Sequence, residues 1–155
     1  MSAFPQNPFQ ILNPNIRWAP SQEDLQEKAY EQLIPPLVYK IRQALKAWRD
    51  SDYSGASDTT KALLQFWFKP DSHKKNDHVF QYYFAQREAI ESIIYLYEIA
   101  KAKDKYELMR FDSSGRISTG HFPETWPRYV VKMATGSGKT KVLSLALVWS
   151  YFHKL

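Results

Sequence analysis

The 155-residue chain has no cysteine. That absence excludes disulfides and thiolate metal sites, and a cytoplasmic setting is the one that fits. No apolar run approaches the ~20 residues a spanning helix needs, so no membrane partner is expected. Met1 to Pro20 lacks a basic start followed by an apolar stretch, and so shows no signal peptide. Histidine is sparse. His73, His78, His121 and His153 have neither paired spacing nor a carboxylate cluster beside them, which argues against a metal site among them. There is no internal repeat. Glycine numbers only five, so two of them at positions 136 and 138 stand out.

Aromatic residues make up 15%, the mark of a packed chain and not of a disordered one. The length suits one domain, or a small domain with the beginning of another. Net charge is +5 and unevenly spread: residues 101–155 hold ten Lys/Arg against four Asp/Glu, whereas residues 1–100 hold eleven against twelve. A basic C-terminal part fits a half that faces phosphate and DNA. The lysines from Lys101 to Lys105 taken alone read as a solvated loop.

Around the paired glycines the sequence reads Ala134-Thr135-Gly136-Ser137-Gly138-Lys139-Thr140. The β-prone run Arg128 to Met133 precedes it, and Lys141 to Leu155 follows, apolar and free of Gly and Pro. Strand, glycine-rich turn and helix together predict a phosphate-binding loop in an α/β fold. Glycines without a Cβ let backbone N–H groups converge on phosphate oxygens, and a helix N-terminus adds unpaired donors and a positive dipole end. Lys139 is the expected charge for the β- and γ-phosphates. Thr140 offers a hydroxyl to Mg²⁺, a metal that prefers oxygen ligands. Lys139 and Thr140 are therefore the candidate catalytic pair, with Ala134 to Thr140 as the cofactor-binding segment. The general pattern would place glycine where Met133 stands.

Met133 to Thr140, MATGSGKT, resembles motif I of superfamily 2 helicases, closest to the branch with the Res subunits of type III restriction endonucleases and DEAD/DEAH-type proteins. That branch commonly lacks the first glycine. The resemblance implies a RecA-like P-loop NTPase domain of α/β class, ATP and Mg²⁺ as cofactors, and hydrolysis coupled to movement on double-stranded DNA. It also implies a modification (Mod) methyltransferase subunit as partner. Upstream, Phe80 to Ile90 is an aromatic-rich segment around Gln86. In these helicases such a segment contacts adenine. A glutamine amide has one donor side and one acceptor side, matching adenine N6 and N7, so Gln86 is the expected adenine reader, with Phe84 or a nearby tyrosine stacking. The stretch from Gln86 to Lys139 is longer than these motifs usually allow, which implies an insertion.

The organisation expected is an extended arm over 1–20, a mainly α-helical region over 21–79, and the start of a helicase ATP-binding domain over 80–155. Prolines at 5, 8, 14 and 20 deny the arm helical periodicity, and Phe4, Phe9, Ile11 and Trp18 can dock it on a neighbour. Ser21 with Asp24 marks a helix that ends near Leu33, before Pro35-Pro36. Leu37, Ile41, Ala44, Leu45 and Trp48 recur at helical spacing. Asp50 to Ser57 reads as a polar turn, and Asp58 as the cap of a helix through Phe68 whose apolar side is Leu63, Leu64, Trp67 and Phe68. Lys69 to Asp77 is charged and loop-like. Gln86 to Lys103 is the longest expected helix, with Ile90, Ile93, Ile94, Tyr97 and Ala100 inward. The insertion runs over about 103–127, polar and turn-rich from Asp112 to Gly120.

The last helix carries Val142, Leu143, Leu145, Leu147, Val148, Trp149 and Phe152, too many apolar positions for a one-sided surface helix. It is expected to pack between a sheet and another layer. One strand cannot make a parallel sheet, and no acidic metal-binding motif or second-domain arginine follows the loop. The expectation is therefore an N-terminal fragment of an ATP-dependent DNA helicase or translocase, ending just after motif I and inactive alone. The alternatives are a small helical binding or scaffold protein with a relict loop, or another P-loop NTPase such as a nucleotide kinase.

Overall fold

The structure, a computed structural model, describes residues 7–10, 37–69, 74–75, 78–113, 115 and 129–154. The expected helix from Ser21 to Leu33 lies outside them, as do most of the arm and most of the insertion.

Helix α1 (Val38–Asp50) forms where the heptad-like spacing placed it, and it buries Ile41, Leu45 and Trp48. Its cationic side faces inward on carboxylates: Arg42 Nε donates to Glu88 Oε2 at 2.9 Å and Arg49 pairs with Glu91. The turn that follows holds Asp52 at φ 51°, Tyr53 at φ 57° and Gly55 at φ 82°. Two consecutive non-glycine residues in the left-handed region cost about 1–2 kcal/mol each. Local bonds offset that cost: Tyr53 N–H donates to Trp48 O at 2.9 Å, and Trp48 Nε1 donates to Ser54 O at 3.0 Å.

Helix α2 (Asp58–Phe68) is capped by Ser57, whose hydroxyl accepts from Thr60 N–H at 3.3 Å. The cap is thus one residue earlier than expected, and Asp58 becomes the acid of the first turn, where the dipole favours it. Within the segment expected as a charged loop, β1 (Lys74–Lys75) pairs antiparallel with β2 (His78–Val79), setting Lys74 opposite Val79.

Helix α3 (Phe84–Ile94) buries Ile90 and Ile94 and continues into one π-helical turn, Tyr95–Ile99. The wider turn rotates the face by a residue. Leu96 goes inward, while Tyr97 is only half-buried. Glu98 is thereby set against the start of α2, where it accepts from Ser57 N–H at 2.6 Å. Helix α4 (Lys105–Met109), capped by Asp104, lies inside the expected insertion. Helix α5 (Lys139–His153) packs on α3 and α2 through Val142, Leu145 and Trp149.

One core runs through α1, α2, α3 and α5, so the expected helical region and the expected nucleotide-binding segment share their interior. The four described residues of the arm form a turn: Gln10 N–H reaches Asn7 O at 3.2 Å. That turn docks by Pro8 O, which accepts from Phe84 N–H at 2.8 Å, and by Phe9, whose ring lies 5.3 Å from Tyr83.

The expected α/β class is not what forms. The described residues are helical, and their sheet is a two-stranded antiparallel ribbon far from the glycine-rich turn in sequence. Tyr129 to Ala134 has no strand pairing. Adjacent valines signal a side chain suited to a pleated, half-buried surface, and that signal becomes a strand only when another strand supplies hydrogen bonds. Here the segment is held by side chains instead. Tyr129 Oη donates to Ala102 O at 2.9 Å and Met133 packs against the core, while Val130 is 89% exposed. For the same reason α5 covers one side and not two: Leu143, Leu147, Tyr151 and Phe152 stay exposed.

Candidate phosphate-binding loop

Residues 134–138 form the turn that the glycines promised. Gly136 sits at φ 79° and Gly138 at φ 78°, both in the left-handed region where a side chain would be strained. Ser137 closes the turn on Ala134 O, through its N–H at 3.3 Å and its hydroxyl at 2.7 Å. Gly138 is the N-cap of α5 and contributes no side-chain cap, and Lys141 N–H bonds back to Gly138 O at 2.9 Å. The N–H groups of Lys139 and Thr140, ahead of that bond, have no helical carbonyl four residues before them, and they sit at the positive end of a 15-residue dipole.

Lys139 folds across the turn. Its ammonium donates to Ala134 O at 3.0 Å and to Met133 O at 3.3 Å, so it ties the first residue of α5 to the residues that enter the turn. Ala134, Thr135 and Gly136 are exposed, Ser137 and Gly138 half-buried, and Lys139 and Thr140 exposed on the opening turn. The structure therefore brings every expected loop residue to one surface. These groups fit a polyphosphate in kind: positive-φ glycines, a helix N-terminus with no side-chain cap and an exposed ammonium lie on one turn. Thr140 stands exposed on the opening turn of α5, where its hydroxyl is an oxygen of the kind that Mg²⁺ would take.

Gln86 also arrives at the loop, 5% exposed, in the first turn of α3. Its amide is engaged on both sides: Oε1 accepts from Tyr83 N–H at 3.0 Å and Nε2 donates to Ser137 O at 3.1 Å. Phe84, offered by the sequence as a stacking ring, is buried in the protein, so it does not present a face to a ligand. Tyr83 and Phe80 are the exposed rings of this segment. Phe80 lies under the Lys141 ammonium, 5.6 Å from the ring centroid, next to the loop. Phe9, one of the residues expected to dock the arm on a neighbour, adds its ring to Tyr83 beside this segment.

An apolar cavity of about 400 Å³ lies behind the loop, between α1, α3 and residues 129–134. Val38, Ile41, Ala89, Leu96, Val131 and Met133 line it, and it reaches Ala134 and Ser137. Arg42 and Glu88 stand at its wall as an ion pair. Among the described residues no group of three His, Cys, Asp or Glu converges as a metal site, and no helix is long and apolar enough to cross a membrane.

No family model matches this chain, and no curated protein or solved structure matches it either.

Proposed function

We propose that residues 134–140 bind the polyphosphate of ATP together with Mg²⁺, and that the chain serves an ATP-dependent DNA helicase or translocase of the type III restriction kind. One observation carries the nucleotide part. Lys139, two left-handed glycines and a helix N-terminus with no side-chain cap stand together on one exposed turn. There the backbone donors and Lys139 hold phosphate, and Thr140 takes the metal. The DNA part rests on the resemblance of MATGSGKT to motif I and on the basic surplus of residues 101–155. Double-stranded DNA and a Mod methyltransferase are the partners this reading names.

Hydrolysis in that superfamily also uses an acidic pair and distant arginines, so the appropriate test is binding and not turnover. A fluorescent ATP analogue titrated into the full chain is expected to bind, more tightly with Mg²⁺ than with a chelator, and to be displaced by unlabelled ATP. No saturable signal at millimolar nucleotide overturns the reading.

A second reading is a helical binding module whose loop holds no nucleotide. One observation favours it: α5 leaves an apolar side uncovered in a fold that is helical throughout most of its described residues. Under it, Lys139→Ala leaves partner binding unchanged and the fluorescent analogue does not bind.

A further inference from the structure

We propose that Gln86 is a positioning residue for the phosphate loop, setting the direction in which the Gly138 N–H points, in place of reading the base. This rests on the loop being a phosphate site.

Three features of the geometry lead there. The first is the polarity of the amide. Tyr83 N–H can only donate and Ser137 O can only accept, so the side chain fits in one orientation, with Oε1 toward α3 and Nε2 toward the loop. The second is the peptide that Nε2 holds. No cis peptide occurs among the described residues. In a planar trans peptide the carbonyl and the following N–H point in opposite directions. Drawing Ser137 C=O down onto α3 therefore turns Gly138 N–H the opposite way, off α3. The third is the lack of room. A Cβ built on Gly138 would overlap the Gln86 amide nitrogen. Glycine at 138 is thus required twice, by its positive φ and by the side chain lying against it.

Base reading asks for something else. Both ends of the amide would have to exchange their backbone partners for adenine N6 and N7, from a side chain 5% exposed. The exchange would release Ser137 O and with it the orientation of the Gly138 N–H. A positioning role uses the amide as it stands. It acts on phosphate, so it is blind to the base.

The discriminating ligand is one with no base. Inorganic tripolyphosphate with Mg²⁺, ATP and GTP are each titrated calorimetrically into the full chain and three variants: Lys139→Ala, Gln86→Glu and Gln86→Ala. Gln86→Glu keeps the acceptor for Tyr83 N–H and presents an oxygen to Ser137 O, so it removes the contact with little change of shape. Loss of one such hydrogen bond is expected to weaken all three ligands by a similar factor, about tenfold. Thermal unfolding run alongside reports the folded fraction, so a merely structural role appears as a lowered midpoint with unchanged affinity. The proposal is overturned if Lys139→Ala loses tripolyphosphate while Gln86→Glu keeps it, or if ATP alone weakens. Equal tripolyphosphate binding by wild type and Lys139→Ala, or none by either, instead defeats the phosphate-site reading, and the Gln86 role falls with it. Where Gln86→Ala binds poorly for want of folding, a stability cycle tests the contact. Gly138→Ala should cost less in the Gln86→Ala background than in wild type; equal cost in both contradicts it.

Discussion

Trp149 on α5 donates its indole N–H to the hydroxyl of Thr60 on α2, at 3.0 Å and across 89 positions of sequence. Thr60 is fully buried and donates its own O–H to Glu98 Oε2 at 2.6 Å. Helix α5, α2 and the π-helical turn thus meet at one hydroxyl. The Trp149 ring also stacks on His153 with centroids 5.0 Å apart and meets Tyr97 edge-on. The helix that presents the loop at its N-terminus is fixed near its C-terminus by this junction.

Thr60→Val keeps the shape and removes the hydroxyl, leaving a buried indole N–H and a carboxylate oxygen each short of a partner. A destabilisation of about 2–3 kcal/mol is expected, read as a lower denaturant midpoint with unchanged slope. A shift within about 0.5 kcal/mol, the range of ordinary surface substitutions, would show that the junction is replaceable.

Glu91 joins α3 to α1. It is fully buried, pairs with Arg49, and accepts from Arg87 Nε at 2.8 Å and from Tyr53 Oη at 2.7 Å. Removing the carboxylate leaves two inward-facing guanidinium groups, so Glu91→Ala should cost about 3–5 kcal/mol. Lys46→Ala, which breaks an exposed pair with Asp50, should cost less than about 0.5 kcal/mol. Comparable costs for the two, by urea unfolding, would refute this difference in role.

The same cluster sets an alkaline limit. Burial, and next the Glu91 carboxylate, push the Tyr53 hydroxyl well above its ordinary value of about 10. The raised group favours the folded state while it stays protonated. Its contribution is complete below pH ~10 and is lost as pH rises beyond that value. Tyr53→Phe should be less stable than wild type at pH 8, and the difference should narrow steadily above pH ~10. A difference constant from pH 8 to 11, in unfolding curves taken at each pH, would count against it.

Leu143, Leu147 and Tyr151 recur every four residues on the uncovered side of α5, with exposures of 71, 74 and 64%. A contiguous apolar strip of this kind promotes self-association and dye binding. The double substitution Leu143→Lys with Leu147→Glu should lower fluorescence of a bound hydrophobic dye by at least about half, while moving the unfolding midpoint by less than about 2 °C. An unchanged dye signal would mean that the strip is already covered.

Much of this was legible from residue types. The spacing of Ile41, Leu45 and Trp48 gave α1 its inward face. Gly136 and Gly138 foretold a left-handed turn because few other residues go there. The π-helical turn was not legible: periodicity through Ile90 and Ile94 continues as an ordinary helix until Glu98 meets Ser57 and Thr60, contacts about 40 positions away. The strand before the loop failed for a similar reason. Val130 and Val131 signal β-propensity, but a strand is a property of two segments, and no second one pairs with 129–134. Gln86 was expected as an adenine reader from its amide and aromatic neighbours; that the amide is taken up by backbone of α3 and the loop was not legible.

The most direct measurement compares Mg-ATP binding by the full chain and by Lys139→Ala, using calorimetry at fixed ionic strength. Lys139 is exposed and its bonds are to loop carbonyls, so the variant should fold as wild type does. The account predicts saturable binding by wild type and a loss of about tenfold or more on removing the ammonium. Equal affinity in the two proteins would contradict it, because the cation that spans the loop would then hold no phosphate.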